Sequence, residues 1–331
     1  MLVAAGGMIG FELAVPKSGV STLWPPAGIV LGILLVAPVR HWGPLAAAAA
    51  LGGMTADVVF DARGWIVLTA ALANVGESLC AATIVRWLIR DRVHLGSLWQ
   101  VGLFVLGGTI VSNAITAAAG ALILGRGLTA DFGRNWLVWF IGDGLGMLVF
   151  APLTVRVVHW AKSGAAAGRN TIEAALLIAA LIPAAVAVLK LSESGASWLP
   201  VYVLFPLLVW AGVRHGVLAA SAASAALTVT LLATLSHMPT LFLGPASPRL
   251  QQEIEIYLFI LVGTVSALTP AALIEERSAM DRLLRASERP TPSTRRFSWW
   301  MSNSAPSPTP TAPRTSCSPR HRATSSTSQR G

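Results

Sequence analysis

The chain has 331 residues, of which 54% are apolar and only 12% charged, against a charged share of about 25% in ordinary soluble domains; a freely soluble enzyme is excluded and lipid is the expected solvent. Its formal charge of +9 is misleading, because Arg289, Arg295, Arg296, Arg314, Arg320, Arg322 and Arg330 all lie beyond the last acid, Glu288, leaving +2 for residues 1–288. No basic face with interleaved aromatics remains for DNA or RNA, so nucleic acid is excluded as a partner.

Apolar runs between charges and prolines give ten expected spans, near 2–15, 22–38, 42–60, 65–89, 98–124, 136–158, 171–190, 199–213, 217–236 and 254–274. Crossing about 30 Å of hydrocarbon takes about 20 helical residues. The first and eighth runs are short for that, so eight full spans with two half-spans is the alternative. The fold expected is therefore all-α: a polytopic transmembrane helical bundle of about 8–10 spans with a disordered C-terminal tail. Residues 1–15 lack the basic start and small-residue cleavage site of a removable signal peptide. With the N-terminus in the cytoplasm, eleven Lys and Arg fall inside and six outside, the asymmetry that places the C-terminus in the cytoplasm as well.

The first distinctive motif is Ser21-Thr22-Leu23-Trp24-Pro25-Pro26-Ala27-Gly28. Proline suits a first helical turn, where its missing N–H would be unpaired anyway, and Trp24 reads as an interfacial residue at the headgroups. Four acids, Glu12, Asp57, Glu77 and Asp143, fall within or near hydrocarbon, together with Asn74 and Asn113. A carboxylate at mid-bilayer costs about 2.5 to 3.5 kcal/mol, so these side chains are expected to face the bundle interior and mark a pocket, a proton site or an ion path. Asn74, Glu77 and Ser78, three and four residues apart, share one helix face. Asp143 lies within Trp139-Phe140-Ile141-Gly142-Asp143-Gly144-Leu145-Gly146, whose glycines allow another helix to approach closely. That run lacks the preceding strand and following Lys-Ser/Thr of a phosphate loop. Cys80 and Cys317 form no CxxC, and the six histidines show no HExxH or paired spacing, so no metal site is indicated.

Beyond Ala271 the character changes: Leu273, Met280, Leu283 and Leu284 recur among Glu275, Glu276, Arg277, Asp281, Arg282 and Arg285. The pattern describes a helix leaving the membrane with an apolar seam of the kind that pairs two subunits as a homodimer. Residues 290–331 hold ten Ser, seven Thr and seven Pro without apolar periodicity, a composition that cannot bury enough surface to fold and that matches a GC-rich gene read out of frame.

At these motifs the chain resembles the MASE1 family, membrane-associated sensor domains at the N-terminus of bacterial histidine kinases and diguanylate cyclases. Trp24, Pro25, Pro26 and Gly28 match the family's Trp-Pro-Pro-Ala-Gly helix start, and Asn74 to Leu88 its middle polar-faced helix. Trp139, Gly142, Asp143 and Gly146 match its Trp-x-x-Gly-Asp-x-x-Gly helix, which closes on Ala-Pro-Leu at Pro152; Leu204 to Gly216 matches a later segment. The resemblance covers about residues 10–285 and implies an inner-membrane input module that passes a signal to a PAS, GGDEF, EAL or kinase domain.

The division expected is a sensor domain over 1–274, a cytoplasmic exit helix over 275–289 and the tail over 290–331, with no output domain and no enzymatic activity of the chain's own. Asn74, Glu77, Asn113 and Asp143 are the expected sensing residues, reading an unidentified small ligand or the state of the bilayer. A secondary transporter or channel using the same acids is the rival reading.

Overall fold

The computed structural model describes residues 1–13, 23–60, 64–125, 132–164, 169–193, 202–237 and 249–287. Regular structure among them is helical throughout: α1 (Leu2–Glu12), α2 (Pro25–Val36), a 3-10 turn at Val39–His41, α3 (Trp42–Val59), α4 (Trp65–Ile89), α5 (Leu98–Leu103), α6 (Ser112–Gly125), α7 (Phe132–Ser163), α8 (Arg169–Glu193), α9 (Leu204–His215), α10 (Val217–His237) and α11 (Arg249–Ser287). A π-helical stretch, Phe104–Val111, joins α5 to α6 without a break. The all-α membrane bundle expected from the sequence is the fold observed. The expected tail, 290–331, lies outside the described residues, as do Ser21 and Thr22 of the Trp-Pro-Pro motif.

Among the described residues six helical rods are long and apolar enough to cross a membrane: Trp65–Ile89, Leu98–Leu122, Phe132–Ser163, Asn170–Leu191, Val217–Ser236 and Ile254–Ser287. The expected second span, 22–38, is corrected. Prolines at its first two positions start α2 late, and with 12 residues it reaches only about 18 Å. α1 and α9 are shorter than spans too, with 11 and 12 residues. The Ala-Pro-Leu sequence does not end α7, which continues through Pro152 to Ser163 over 32 residues.

Although short, α2 is apolar all round and is buried accordingly, with Pro25, Pro26, Ala27, Gly28, Val30, Leu31, Gly32, Leu34 and Leu35 enclosed. It packs on α7, α4, α1 and α3, while α7 also touches α6 and α10. The crossing with α7 is made backbone to backbone. A Cβ on Gly28 would lie 2.0 Å from the Gly146 carbonyl oxygen, and one on Gly146 would lie 2.0 Å from the Trp24 carbonyl oxygen. The Trp24 amide donates to the Gly142 carbonyl at 3.0 Å, so α7 fixes the start of α2. A turn further on, Gly32 meets Ala151 and Thr154 of α7.

Trp24 packs inside the bundle rather than presenting its ring at the surface. It is 7% exposed and its ring stands edge-on to Phe11 of α1, with centroids 5.2 Å apart. The close crossing draws the mouth of α2, and Trp24 with it, into the bundle.

The Met1–Asp281 segment forms one compact unit, and residues from Arg282 belong to a second. The two-glycine crossing predicts that Gly28→Ala and Gly146→Ala each destabilise the chain by about 3 kcal/mol or more, because backbone cannot yield as a flexible side chain can. Gly76, with nothing within 4 Å of its Cβ position, provides the contrast: Gly76→Ala should leave stability unchanged or raise it by about 0.5 kcal/mol. Thermal denaturation in detergent distinguishes the two cases, and equal melting temperatures for all three variants would refute the crossing.

Candidate functional site

The π-helical stretch and the first turns of α6 bury Thr109, Ser112 and Asn113 completely; π turns within helices are frequent at functional sites. The Asn113 amide donates to the Phe140 carbonyl of α7 at 2.7 Å and lies 2.6 Å from where a Gly144 Cβ would stand. Gly144 thus admits Asn113, as Gly146 admits α2. Between Gly142 and Gly144 α7 projects Asp143, 5% exposed, and α4 brings Glu77, 1% exposed. The two carboxyl groups face one another, with Thr116 of α6 and Trp139 of α7 within interaction reach of Glu77.

Hydrogen bonding within this cluster is incomplete. Both carboxyl oxygens of Glu77, Oδ2 of Asp143, Oδ1 of Asn113 and Oγ1 of Thr109 are buried without a partner among the described residues. The Thr116 hydroxyl is directed to the backbone, at Ser112 and Asn113. Each buried polar atom left unmatched costs about 1 to 3 kcal/mol, and more if it is charged. Three helices therefore converge acceptor atoms on one enclosed place.

The sequence-derived residues separate here. Glu77, Asn113 and Asp143 come together. Asn74 does not join them: it lines a small cleft with Trp24, Pro26, Ala27, Val30 and Ser78, and Ser78 donates to the Asn74 carbonyl at 3.1 Å. Positions i and i+3 are about 60° apart around a helix, enough to point Asn74 and Glu77 into different spaces. Of the other acids, Asp57 is buried at 6% exposure, whereas Glu12 is exposed at the end of α1; its expected inward placement is corrected. Gly142 and Gly146 receive α2, Trp139 stands at the acid pair, and Pro152 is buried within α7.

A second polar centre, unmarked by any motif, holds α11. Arg156 of α7 donates to both carboxyl oxygens of Glu275 at 2.9 Å and to the His94 carbonyl at 3.1 Å. The Val217 amide, at the start of α10, donates to Glu275 at 2.9 Å. Between α9 and α10 Gly216 takes φ 84°, and a Cβ there would lie 2.7 Å from Glu275 Oε1, so both its conformation and its closeness to Glu275 call for glycine. Neighbouring Glu276 accepts from the Leu98 amide at 3.1 Å. Among the described residues no group of three or more His, Cys, Asp or Glu is arranged to hold a metal ion.

A family model, MASE1, matches residues 1–278. The chain belongs to the MASE1 family. MASE1 is a membrane-associated sensor domain of signalling proteins, an input rather than a catalytic domain, and the six long apolar helices make the chain a multi-pass membrane protein. No curated protein and no solved structure matches it. The MASE1 match includes the acid pair, the Trp-Pro-Pro crossing and Glu275, while Leu283 and Leu284 lie beyond it.

Within the MASE1 bundle the Glu275 tether predicts local rather than global loosening when it is cut. Glu275→Ala removes two charge-assisted contacts and should lower the opening free energy of α11 by about 2 kcal/mol. Amide exchange around residues 271–281 then accelerates about 30-fold, while α2 and α4 stay protected. Glu276→Ala, losing one exposed bond, should change exchange less than about five-fold. Unchanged exchange in the Glu275 variant would rule out the tether.

Proposed function

We propose that this MASE1 module is the sensory input of a bacterial signalling protein of the histidine-kinase or cyclic-di-GMP type. In this reading it resides in the inner membrane, with its C-terminal helix in the cytoplasm directed to an output domain. The observation that carries the proposal is the enclosed pair Glu77 and Asp143 beside Asn113: both Glu77 oxygens, Oδ2 of Asp143 and Oδ1 of Asn113 lack a donor at full hydrogen-bonding geometry among the described residues, with Trp139 and Thr116 at longer reach of the pair. Hydrocarbon penalises such groups unless something compensates them. A proton, a cation or a donor-bearing small ligand does so, and whichever packing of α4, α6 and α7 it binds better becomes the more populated.

Asn74 is assigned a supporting part, since its cleft adjoins Trp24 and the mouth of α2. Output runs through α11, which carries Pro270 inside its length and leaves Leu273 and Met280 exposed at 39% and 57%. Exposed apolar residues at that spacing suit pairing with a second copy, and the exit helices of a homodimer would pass a change of packing onward.

In a full-length signalling protein carrying this module, Glu77→Gln and Asp143→Asn should each change basal output by about five-fold or more, the range of ordinary coupling energies, with membrane insertion intact. Output equal to wild type in both variants would remove the acid pair from the mechanism, and loss of solute uptake instead would restore the transporter reading. Fusions of green fluorescent protein and alkaline phosphatase after Ser287 test orientation: fluorescence without phosphatase activity places that end in the cytoplasm.

A further inference from the structure

Apart from the acid pair, the ends of α7, α8 and α10 enclose a groove of about 780 Å³, within the size range of ligand sites, about 300–1,000 Å³. Its polar end carries His94, Arg156, His159, His215 and Asn170, with Glu275 the acid among its lining residues. His215 and Asn170 are joined side chain to side chain at 2.8 Å, Arg156 holds Glu275, and His159 lies within electrostatic reach of Arg156, His94 and Lys162. The His159 ring reaches back toward the Val155 carbonyl one turn earlier on α7.

Polarity then changes in the same sense along all three helices. Leu153 lies six residues before His159 on α7, Ile178 eight after Asn170 on α8, and Ala222 on α10 seven after His215, the last residue of α9, and all three line the groove. At about 1.5 Å per residue the apolar walls extend about 10 Å from the polar end. Only 17% of the α8 span is buried, so this helix borders lipid. Trp160, 41% exposed, lines the polar end, where an interfacial indole belongs.

We propose that this groove binds one anionic phospholipid, its phosphate at His94, Arg156, His159 and His215 and an acyl chain along Leu153, Ile178 and Ala222. A polar end carrying a guanidinium, matched by Glu275, and three titratable imidazoles on an apolar wall suits such an amphiphile, and basic pockets between transmembrane helices take anionic headgroups. The Arg156 guanidinium donates to a phosphate oxygen, and His94 and His215, whose Nδ1–H groups are given to Gln100 and Asn170, donate from Nε2 once the anion draws a proton onto each ring. A phosphate beside Arg156 competes with Glu275 for the guanidinium, so occupancy would act on the α11 tether. The binding claim is independent of the acid pair.

The test uses the full chain in phosphatidylcholine nanodiscs containing either brominated phosphatidylglycerol or brominated phosphatidylcholine at equal fraction. The readout is quenching of Trp160, isolated as the difference between wild type and Trp160→Phe. Phosphatidylglycerol should quench about five-fold more strongly, and His94→Ala/His159→Ala should abolish the preference; His159→Asn, which keeps a polar side chain, should reduce it if the double variant fails to fold. Equal quenching by both lipids overturns the proposal. A change in Trp160 emission on adding inorganic phosphate to phosphatidylcholine discs overturns the lipid assignment by assigning the groove to free phosphate.

Discussion

In a bilayer the apolar surface of a helix gains nothing by leaving lipid for another helix, so close packing and hydrogen bonds must supply the association. The contact of α2 with α7 meets that requirement through glycine. With Gly28 against the Gly146 carbonyl and Gly146 against the Trp24 carbonyl, the helices approach closely enough for the Trp24 amide to reach Gly142. A helix of 12 residues has little reason to hold position by itself, and this crossing anchors it. Because Gly142, Gly144 and Gly146 surround Asp143, the same small residues that admit α2 and Asn113 leave that carboxyl group at the meeting point of α4, α6 and α7.

The crossing also links the two polar centres. Asp143 and Arg156 lie on one continuous helix, thirteen residues and about 20 Å apart. Glu77 bears on the first and Glu275 on the second. A repacking that shifts or rotates α7 at the acid pair therefore moves a guanidinium that holds the final helix, through a single rigid element. Pro152 lies between them, at the point where the backbone ladder of α7 lacks a donor; bending there alters the relation of the two ends without unpacking either.

Much of this was legible in the sequence, for reasons that differ by residue. Helix number and most boundaries follow from length and punctuation, and Pro25 and Pro26 mark the start of α2 because their missing N–H groups cost nothing there. Glu77 and Asp143 could be placed inward because hydrocarbon rejects them. The enclosure of Trp24 could not be read, since its type favours an exposed place and only the glycine contacts of a helix 118 residues later draw it inside. Spacing alone puts Asn74 on the Glu77 face, a rule too coarse to resolve a 60° offset. The Arg156–Glu275 pair joins residues 119 apart in sequence, and neither lies in a pattern that distinguishes it from an ordinary charge at a helix end.

Glu275 shows why the exit helix is a reporter of the whole bundle rather than of one neighbour. The first amides of a helix lack intrahelical acceptors, and its N-terminus carries partial positive charge. Glu275 supplies an acceptor to Val217 at the start of α10 while pairing with Arg156 of α7. Glu276, beside it, accepts from Leu98 at the start of α5. Adjacent carboxylates on α11 thus satisfy donors from three other helices. Moving any one of those helices leaves a donor or an acceptor unmatched unless α11 follows, so displacement from several parts of the bundle converges on the segment immediately before the second unit.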